Sequence, residues 1–295
     1  MDRIERLEAE SIFILRDAYK YFKTKNLGML WSIGKDSTVL LYLARKAFFG
    51  HIPFPLVHID THYKIPEMIE FRDKIALEWK LDMIYGENSE ALQKKYTFPD
   101  QKVDRLTCCK YLKSDALKHT LSGEWQRYRL DHNLKKYIKD AKTDPFNGVI
   151  VGIRADEEGS RSKERCFSPR SENNEWNVGD QPPEVWQYFN TDFPKGCHIR
   201  IHPLLDWTEL DIWEYIKKEN IPVISLYFDQ GQGKRYRSLG CYPCTTPINS
   251  ISKNVDEIIE ELKTGKLANI AERSGRAQDK EDGGGLENLR RDGYM

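Results

Sequence analysis

A strand, a loop and a helix follow one another in GMLWSIGKDSTVLLYLARKAFFG, residues 28–50. The apolar run before Gly34 has the length of a buried strand, and after it Leu40, Leu43 and Ala44 recur at helical spacing. Such a unit ties one strand of a sheet to a helix that packs on its face. The segment therefore predicts an α/β fold.

The loop of this unit is suited to phosphate. It points backbone N–H groups and the positive end of a helix dipole at a bound ligand. Lys35 adds a positive charge, Ser32 and Ser37 add hydroxyl donors, and Asp36 is placed for a magnesium ion or for the first N–H groups of the helix. The Walker pattern is excluded because its glycine spacing is absent and an aspartate follows the lysine.

Further apolar runs predict more strands of the same sheet. FPLVHIDT (54–61) ends in Asp60 and Thr61, Pro66 then begins a predicted helix, and LDMIYG and NGVIVGI supply two more strands. This alternation predicts a doubly wound, mostly parallel sheet whose ligands bind beyond the carboxyl ends of the strands. Asp60 at that edge is expected to hold a ribose hydroxyl or the adenine amino group, or to form a turn.

A highly charged segment, GIRADEEGSRSKERCFSPR (152–170), leaves the same edge of the sheet. It places Arg154, Arg161, Lys163, Arg165 and Arg170 among Asp156, Glu157 and Glu158. Arginines there suit an oxyanion or a leaving pyrophosphate, and the acids suit magnesium or the orientation of the arginines. On composition alone, a solvated mixed-charge face is the alternative.

Four of the six cysteines form two tight pairs, Cys108-Cys109 and Cys241-x-x-Cys244. Four thiolates can hold zinc or an iron-sulfur cluster. Adjacent cysteines do not match the spacing of two to four residues that is usual in structural zinc sites, so a 4Fe-4S cluster is preferred. A dithiol redox pair and unrelated thiols are the alternatives.

The overall charge points to no partner class, because 46 basic residues balance 46 acidic ones. The charged N-terminus has no apolar signal core, so a cytoplasmic protein without membrane association is expected. CHIRIHPLLDWTELDIWEYIKKENIP (197–222) predicts a strand followed by a helix, and Asp206 and Glu209 are spaced as the capping pair of that helix. We expect a nucleotide-binding α/β domain over residues 1–225 and a C-terminal segment over 226–295, whose end alone would suggest a flexible tail.

Taken together, these segments resemble the phosphoadenosine phosphosulfate reductase superfamily, which has the pyrophosphate-loop fold of the adenine-nucleotide alpha hydrolases. Within it they resemble the small subunits of bacterial sulfate adenylyltransferase. The resemblance rests on LEAESIFILRDA, WSIGKDSTVLLYLARKAF, FPLVHIDT, EMIEFRD, RADEEGSRSKER, WTELDIWEYI, ENIPVISLYF, YRSLGCYP and SGRAQDKEDGGGLENLRRDGYM.

The resemblance implies a role for each candidate residue. Ser32, Gly34, Lys35, Asp36 and Ser37 would form the pyrophosphate loop, Asp60 and Thr61 would contact the nucleotide, and Arg154, Asp156, Glu157, Arg161 and Arg165 would bind phosphate and oxyanion. It also implies that the tail packs near the active site rather than being disordered.

The cysteine pairs depart from the sulfate adenylyltransferase pattern. They resemble the 4Fe-4S ligands of adenylylsulfate reductases, in CCKYLKSDALK and GCYPCT. Those reductases use a redox-active cysteine near the C-terminus, which this chain lacks beyond Cys244. The ATP pyrophosphatases of bacterial DNA phosphorothioation systems combine the loop with the cluster, and this combination resembles the chain best.

The predicted chemistry is cleavage of ATP, with magnesium, between its α and β phosphates by attack of an oxyanion. Catalysis would be positioning and charge neutralisation by Lys35, Asp36, Arg154, Asp156, Glu157 and Arg161. The favoured oxyanion is a DNA phosphate, with a cysteine desulfurase as partner. The alternative is sulfate, with a GTPase large subunit as partner, and a more remote alternative is a non-catalytic nucleotide-binding scaffold.

Overall fold

A computed structural model describes residues 1–22, 26–142, 144–157, 159–171, 175, 176, 179, 181, 184, 193 and 197–276. Its centre is an eight-stranded, mostly parallel sheet with helices on both faces, so the predicted fold class is confirmed. The strands are β1 (Leu27–Leu30), β2 (Leu56–Ile59), β3 (Met83–Gly86), β4 (Tyr128–Asp131), β5 (Lys136–Lys139), β6 (Gly148–Ile150), β7 (Phe167–Arg170) and β8 (His198–Ile201). The helices are α1 (Arg3–Phe22), α2 (Lys35–Ala47), α3 (Pro66–Glu78), α4 (Ser89–Gln93), α5 (Arg105–Cys109), α6 (Ala116–Ser122), α7 (Glu209–Glu219) and α8 (Val255–Lys263).

The order of the strands creates a crevice beside β1. It runs β5-β4-β3-β2-β1-β6-β8-β7, and β3, β2, β1, β6 and β8 are parallel. Met29 of β1 pairs with Leu56 of β2 on one side and with Ile150 of β6 on the other. After β1 the chain adds β2 and β3 on one side, and it later adds β6 and β8 on the other. The carboxyl ends of β1 and β6 therefore form the switch point where ligands of such sheets bind.

β1 is buried on both faces, and this explains its apolar sequence. Met29 and Trp31 belong to the larger core cluster, which includes side chains of α1, α2, α3 and α7. Leu30 points to the other face and packs in a smaller cluster with Leu117 and Leu121 of α6. Alternate residues of the strand thus enter different clusters, as a side-chain period of two requires.

Three strands of the sheet were not predicted. β4 and β5 form an antiparallel hairpin at one edge, and β7 is antiparallel to β8 at the other. Their sequences, YRLD, KYIK and FSPR, are short and largely polar, so they lack the apolar runs that identify the central strands. β4 and β5 are partly exposed and need fewer apolar residues. β7 is largely buried and pairs its polar side chains instead, as Arg170 does with Glu164 at 2.8 Å.

The predicted cap of α7 is wrong. Thr208 and Asp211, rather than Asp206 and Glu209, form the capping box: the Thr208 side chain accepts from the Asp211 N–H, and the Asp211 carboxylate accepts from the Thr208 N–H. Asp206 is exposed. Glu209 is buried and forms an ion pair of 2.6 Å with Arg237.

The C-terminal part packs against the main domain. α8 contacts α7, and β9 (Lys234–Arg235) pairs with β10 (Ile248–Asn249) in a small second sheet. The division between residues 1–225 and 226–295 stays a prediction. Residues 277–295, which make up most of the tail, lie outside the described residues, as does Glu158. None of the described helices combines the length and the apolar character needed to span a bilayer.

Candidate active site

A cavity of about 120 Å³ lies at the switch point of the sheet, among the residues that end or follow β1, β2 and β6. Its apolar lining consists of Leu30, Trp31, Val57, Ile59, Leu117, Val151, Ile153 and Leu239. Its cationic lining consists of Lys35, Lys64, Lys113, Arg161, Arg273 and Arg276. Among the described residues, Asp36 and Glu157 are the carboxylates that line it. The cavity therefore suits a ligand that has an apolar ring and several negative charges.

The loop that precedes α2 holds a strained residue. Ile33 is buried and has a φ of 72°, in the left-handed region that a β-branched residue rarely adopts. Gly34 then caps the helix, and Ser37 donates a hydrogen bond of 3.1 Å from its hydroxyl to the Gly34 carbonyl. Ser32 donates to the Ser37 hydroxyl at 3.1 Å. Strain of this kind persists where surrounding contacts fix the backbone, and it is concentrated at functional sites.

Gly152 lets the segment after β6 approach this loop closely. A Cβ atom at Gly152 would lie 3.1 Å from the Cα atom of Ser37 and 3.3 Å from its nitrogen. A residue with a side chain would therefore push the segment away from the first turn of α2. Gly152 and Ser37 both line the cavity, so this contact forms part of its wall.

Lys35 is buried, and its ammonium group is held by two carboxylates. Its Nζ atom lies 3.1 Å from Asp36 Oδ2 and also pairs with Glu272 from the C-terminal segment. Burial alone would lower the pKa of Lys35, but these two carboxylates outweigh it and raise the pKa above the ordinary value. Burial would likewise raise the pKa of Glu272, yet Arg154 and Lys35 lower it. The lysine is therefore fully protonated and the glutamate fully ionised at neutral pH.

Arg154 lies behind the loop and joins the same ion-pair network. It is fully buried, and its Nε atom is 2.7 Å from Asp36 Oδ1. Its terminal nitrogens pair with Asp156, at 3.0 Å, and with Glu272. Because these three carboxylates surround it, Arg154 fixes the orientation of Asp36 rather than lining the cavity.

A second group of ion pairs surrounds Glu157. Its carboxylate pairs with Arg161 and, at 2.9 Å, with Arg273. Burial would raise the pKa of Glu157, but Arg161 and Arg273 outweigh it and lower the pKa well below the ordinary value. The adjacent Asp156 accepts a hydrogen bond of 2.9 Å from the Glu209 N–H, and burial raises its pKa. Glu157 thus holds two arginines at the cavity wall.

The structure brings most of the predicted site residues to the cavity. Ser32, Gly34, Lys35, Asp36, Ser37, Thr61, Glu157 and Arg161 line it, and Arg154 and Asp156 lie directly behind Asp36. Asp60 and Arg165 are not brought there. Asp60 accepts from the His62 N–H at 2.8 Å and pairs with Arg72 at 3.4 Å, as a turn residue would. The Arg165 guanidinium donates to the Glu164 carbonyl at 3.2 Å.

Several residues of this site were not predicted. Glu272, Arg273 and Arg276 come from the segment that follows α8, whereas Lys64, Lys113 and Tyr227 come from the loop after β2, the helical segment after α5 and the segment after α7. The only signal in the sequence was indirect: SGR at residues 274–276 begins the tail that resembles the family, and SLYF contains Tyr227. Neither segment indicated which side chain reaches the loop.

The four paired cysteines meet at a second, smaller cavity. Cys108 and Cys109 end α5, which continues through a π-helical turn (Lys110–Asp115) into α6, and Cys241 and Cys244 come from the loop after β9. Lys113 Nζ lies 3.3 Å from Cys109 Sγ, and Thr61 Oγ1 lies 3.3 Å from Cys241 Sγ. Lys113 and Thr61 also line the first cavity, so the two cavities share a wall.

The environments of the thiols differ. Burial raises the pKa of Cys108 to about 11 and raises that of Cys244. At Cys241, burial would also raise the pKa, but the positive charges of Lys113 and Lys64, together with the Thr61 hydrogen bond, lower it. Cys241 is therefore the thiol whose environment most favours the thiolate among those whose pKa is shifted.

The four cysteines supply a sulfur donor set. Four sulfur donors have the chemistry of an iron-sulfur site, and these four cysteines would hold the cluster. Within the described part of the chain, however, no three His, Cys, Asp or Glu side chains are grouped so that they could hold a metal ion. The carboxylates near Lys35 are all paired with cations and form no ready magnesium site. The cluster and magnesium therefore stay predictions.

The sheet order, together with a cationic cavity at its switch point, is that of a nucleotide-binding α/β fold. The chain belongs to the phosphoadenosine phosphosulfate reductase domain family, whose model matches residues 26–247. This finding confirms the resemblance that the sequence motifs indicated.

Relatives with similarity over the full chain carry a more specific name. The chain is 38% identical to sulfate adenylyltransferase subunit 2 of Shewanella amazonensis, an alignment that covers 100% of this chain and 98% of the relative. It is 37% identical to the protein of the same name from Geotalea daltonii, with 100% and 99% covered. The likeness thus includes the C-terminal segment that supplies Glu272.

A solved structure shows the same fold. The FMN adenylyltransferase of Candida glabrata, in complex with FMN and the ATP analogue AMPCPP, superposes with a TM-score of 0.52. It is 17% identical, and the superposition covers 93% of this chain and 90% of the other. At this identity the likeness concerns the fold.

Proposed function

We propose that the chain is an ATP-dependent adenylyltransferase that joins the adenylyl group of ATP to sulfate and releases pyrophosphate. The observation that carries the proposal is the cavity at the switch point, where Lys35 and five other cationic side chains meet an apolar lining. Support for sulfate as the oxyanion comes from the full-length relatives named sulfate adenylyltransferase subunit 2.

The proposed reaction is an in-line displacement at the α phosphorus. A sulfate oxygen forms a bond to this phosphorus, and the bond to the oxygen that bridges the α and β phosphates breaks. Pyrophosphate leaves with that oxygen and its electron pair. Since sulfate is already ionised at neutral pH, no general base is needed, and catalysis rests on positioning and on neutralisation of charge.

Each part of the cavity has a place in this reaction. The apolar side chains, among them Trp31 and Ile59, would enclose the adenine ring. Lys35, Arg161 and Arg273 would offset the negative charge that develops on the leaving pyrophosphate. Arg154 and Asp156 act as positioning residues through Asp36, and the proposal gives no role to Asp60 or Arg165.

The cofactors and partner follow from the same proposal. Magnesium would enter with the nucleotide, because substrate phosphate oxygens are among its ligands in such sites. The formation of adenylylsulfate changes no oxidation state, so no step passes through the cysteine site. The predicted partner is a GTPase large subunit, in keeping with relatives that are named as one subunit of an enzyme.

The test is exchange of labelled pyrophosphate into ATP, with sulfate as the added oxyanion and with the large subunit present. We expect sulfate-dependent exchange in the wild type and a loss of about a hundredfold or more in Lys35→Met combined with Glu272→Gln. The double change removes both members of a buried ion pair and avoids leaving one charge unpaired. The matched control is Lys46→Ala, which removes an exposed lysine of the same helix.

The same assay distinguishes the other candidates. The cysteine quartet was the reason to favour a DNA phosphate, but the relatives give no support to DNA or to a cysteine desulfurase partner. Exchange that depends on DNA and not on sulfate would overturn the proposal. Equal, slow release of pyrophosphate by the wild type and the double variant with every oxyanion would favour a non-catalytic scaffold.

A further inference from the structure

One N–H group of the predicted phosphate loop is not turned toward the ligand. The first N–H groups of a helix lack partners within the helix and are the donors that bind phosphate at such loops. In α2 the first of them, that of Lys35, donates a hydrogen bond of 2.8 Å to the hydroxyl oxygen of Tyr227. The loop has therefore lost one donor to a tyrosine 192 residues further along the chain.

The tyrosine hydroxyl replaces that donor with one of its own. A phenol can accept and donate a hydrogen bond at the same time. Because Tyr227 accepts from the Lys35 N–H, its hydrogen remains to be donated elsewhere. Burial raises the pKa of Tyr227 to about 12, so the hydroxyl keeps this hydrogen at neutral pH.

The ring of Tyr227 is fixed, so the hydroxyl cannot turn away. The side chain is 2% exposed and packs edge-on against Trp213, with ring centroids 5.5 Å apart. Tyr227 nevertheless lines the first cavity, and a Cβ atom at Gly34 would lie 3.6 Å from its hydroxyl oxygen. The hydroxyl is therefore a rigid part of the wall where the loop begins.

The charges around the hydroxyl match an anionic ligand. Among the described residues, Lys35, Asp36 and Arg276 are charged side chains that act on Tyr227, and all three line the cavity. A phosphate oxygen that binds between the loop and Arg276 would meet two cations and the free hydrogen of the phenol. Hydrogen bonds to charged acceptors are about twice as strong as those between neutral groups.

We propose that the Tyr227 hydroxyl is a phosphate-binding group that relays the Lys35 N–H to an oxygen of the leaving pyrophosphate. It deepens the proposed function and rests on it, because it requires a nucleotide in the first cavity. The residue would touch the substrate directly and strengthen its hydrogen bond as charge develops on the leaving group.

The experiment measures binding of inorganic pyrophosphate, AMPCPP and adenosine by calorimetry to the wild type, Tyr227→Phe and Tyr42→Phe. We expect Tyr227→Phe to bind pyrophosphate and AMPCPP about tenfold to a hundredfold more weakly and adenosine unchanged. Tyr42→Phe is the matched control, since it loses a 3.0 Å hydrogen bond to Glu219 outside the cavity. Melting temperatures of all three proteins are measured alongside.

The outcomes separate this inference from the proposed function. If the wild type binds neither pyrophosphate nor AMPCPP, the proposed function fails. If the wild type binds them and Tyr227→Phe binds them equally well, the inference is overturned and the function stands. Should Tyr227→Phe fail to fold, a trifluorotyrosine at position 227 supplies the test: affinity for pyrophosphate must fall as pH rises through the lowered phenol pKa. An unchanged pH profile would overturn the inference.

Discussion

Lys35 is bound by carboxylates at the place that a triphosphate must reach. Lys35, Arg154, Arg161 and Arg273 are matched by Asp36, Asp156, Glu157 and Glu272, so the network has no net charge without a ligand. A bound polyphosphate must therefore compete with carboxylates for the lysine. Glu272 is the carboxylate that comes from outside the sheet and its crossovers.

We expect Glu272→Gln to increase the affinity for inorganic pyrophosphate by at least about tenfold. The change removes a negative charge that contacts both Lys35 and Arg154, and charges at such distances in protein interact by several kcal/mol. Asp36 and Asp156 still balance the two cations, so the variant is expected to fold. Calorimetry measures the affinity.

Glu261→Gln is the control for this prediction. It also neutralises a largely buried carboxylate of the C-terminal part, one that pairs with Arg235 at 2.7 Å and does not line the cavity. Its affinity for pyrophosphate should equal that of the wild type. Weaker binding by Glu272→Gln would show instead that the carboxylate holds Lys35 in its binding position.

Ile33 provides a prediction about backbone strain. Ile33→Ala removes packing from a buried side chain and should destabilise the protein by about 2–5 kcal/mol. Ile33→Gly removes slightly more packing. Glycine, however, adopts a φ of 72° without strain, and relief of that strain stabilises the folded state by about 1–2 kcal/mol. The glycine variant should therefore unfold at a higher urea concentration than the alanine variant. A reversal larger than the roughly 0.5–1 kcal/mol that glycine costs through chain entropy would mean that the backbone is not strained.

For individual residues, the sequence predicted those of the phosphate loop but not the side chains that pair with them. Ser32, Gly34, Lys35, Asp36 and Ser37 lie within six residues, so one motif contains them. Lys35 and Glu272 are 237 residues apart, and no local pattern links them. A glutamate in a polar C-terminal segment has the composition of a solvent-exposed residue until the fold brings it to a buried lysine.

At the scale of elements, the start of α7 shows how a spacing rule can select the wrong pair. Asp206 and Glu209 have the spacing of a capping pair, but Thr208 and Asp211 have it as well and form the box. We expect Thr208→Ala to lower the free energy of unfolding by about 1 kcal/mol. Asp206→Ala, at an exposed position two residues earlier, should change it by less than about 0.5 kcal/mol. Urea denaturation compares the two, and equal losses would contradict the assignment of the box.

The elements that were predicted correctly share one property. β1, β2, β3, β6 and β8 are central strands whose burial requires a run of apolar residues, and such runs are visible in the sequence. The hairpin of β4 and β5 is held by side chains from elsewhere, such as Tyr85 stacked on Tyr128 with ring centroids 4.7 Å apart. A pattern read along one segment does not contain that contact.

For the whole molecule, the ion-pair network predicts a loss of stability in acid. The pKa values of Glu157 and Glu272 are lowered in the folded state, so protonation favours the unfolded chain. Their contribution is present above the unfolded value of about 4.5 and is lost as pH falls through the folded pKa. The raised pKa values of Asp156 and Glu209 act in the opposite direction and at higher pH.

Comparison of the wild type with Glu272→Gln isolates the contribution of Glu272 to this loss of stability. Below about pH 4.5 the free energy of unfolding of the wild type should fall more steeply than that of the variant, which lacks one titrating carboxylate. Urea denaturation at a series of pH values measures both curves. Glu261→Gln does not serve as a control here, because the pKa of Glu261 is also lowered. Parallel curves for the wild type and Glu272→Gln would contradict the lowered pKa of Glu272.

Several residues of the site come from a segment far along the chain from the strands of the main sheet. All eight strands of the main sheet lie between Leu27 and Ile201, whereas Glu272, Arg273 and Arg276 come after α8. Because a ribosome makes the chain from its N-terminus, the sheet can assemble while these residues have not yet been translated. A nascent chain that already has its sheet would still lack Arg273 and Arg276, two of the cationic side chains that line the cavity, so the cationic wall is complete only once the segment after α8 has been made.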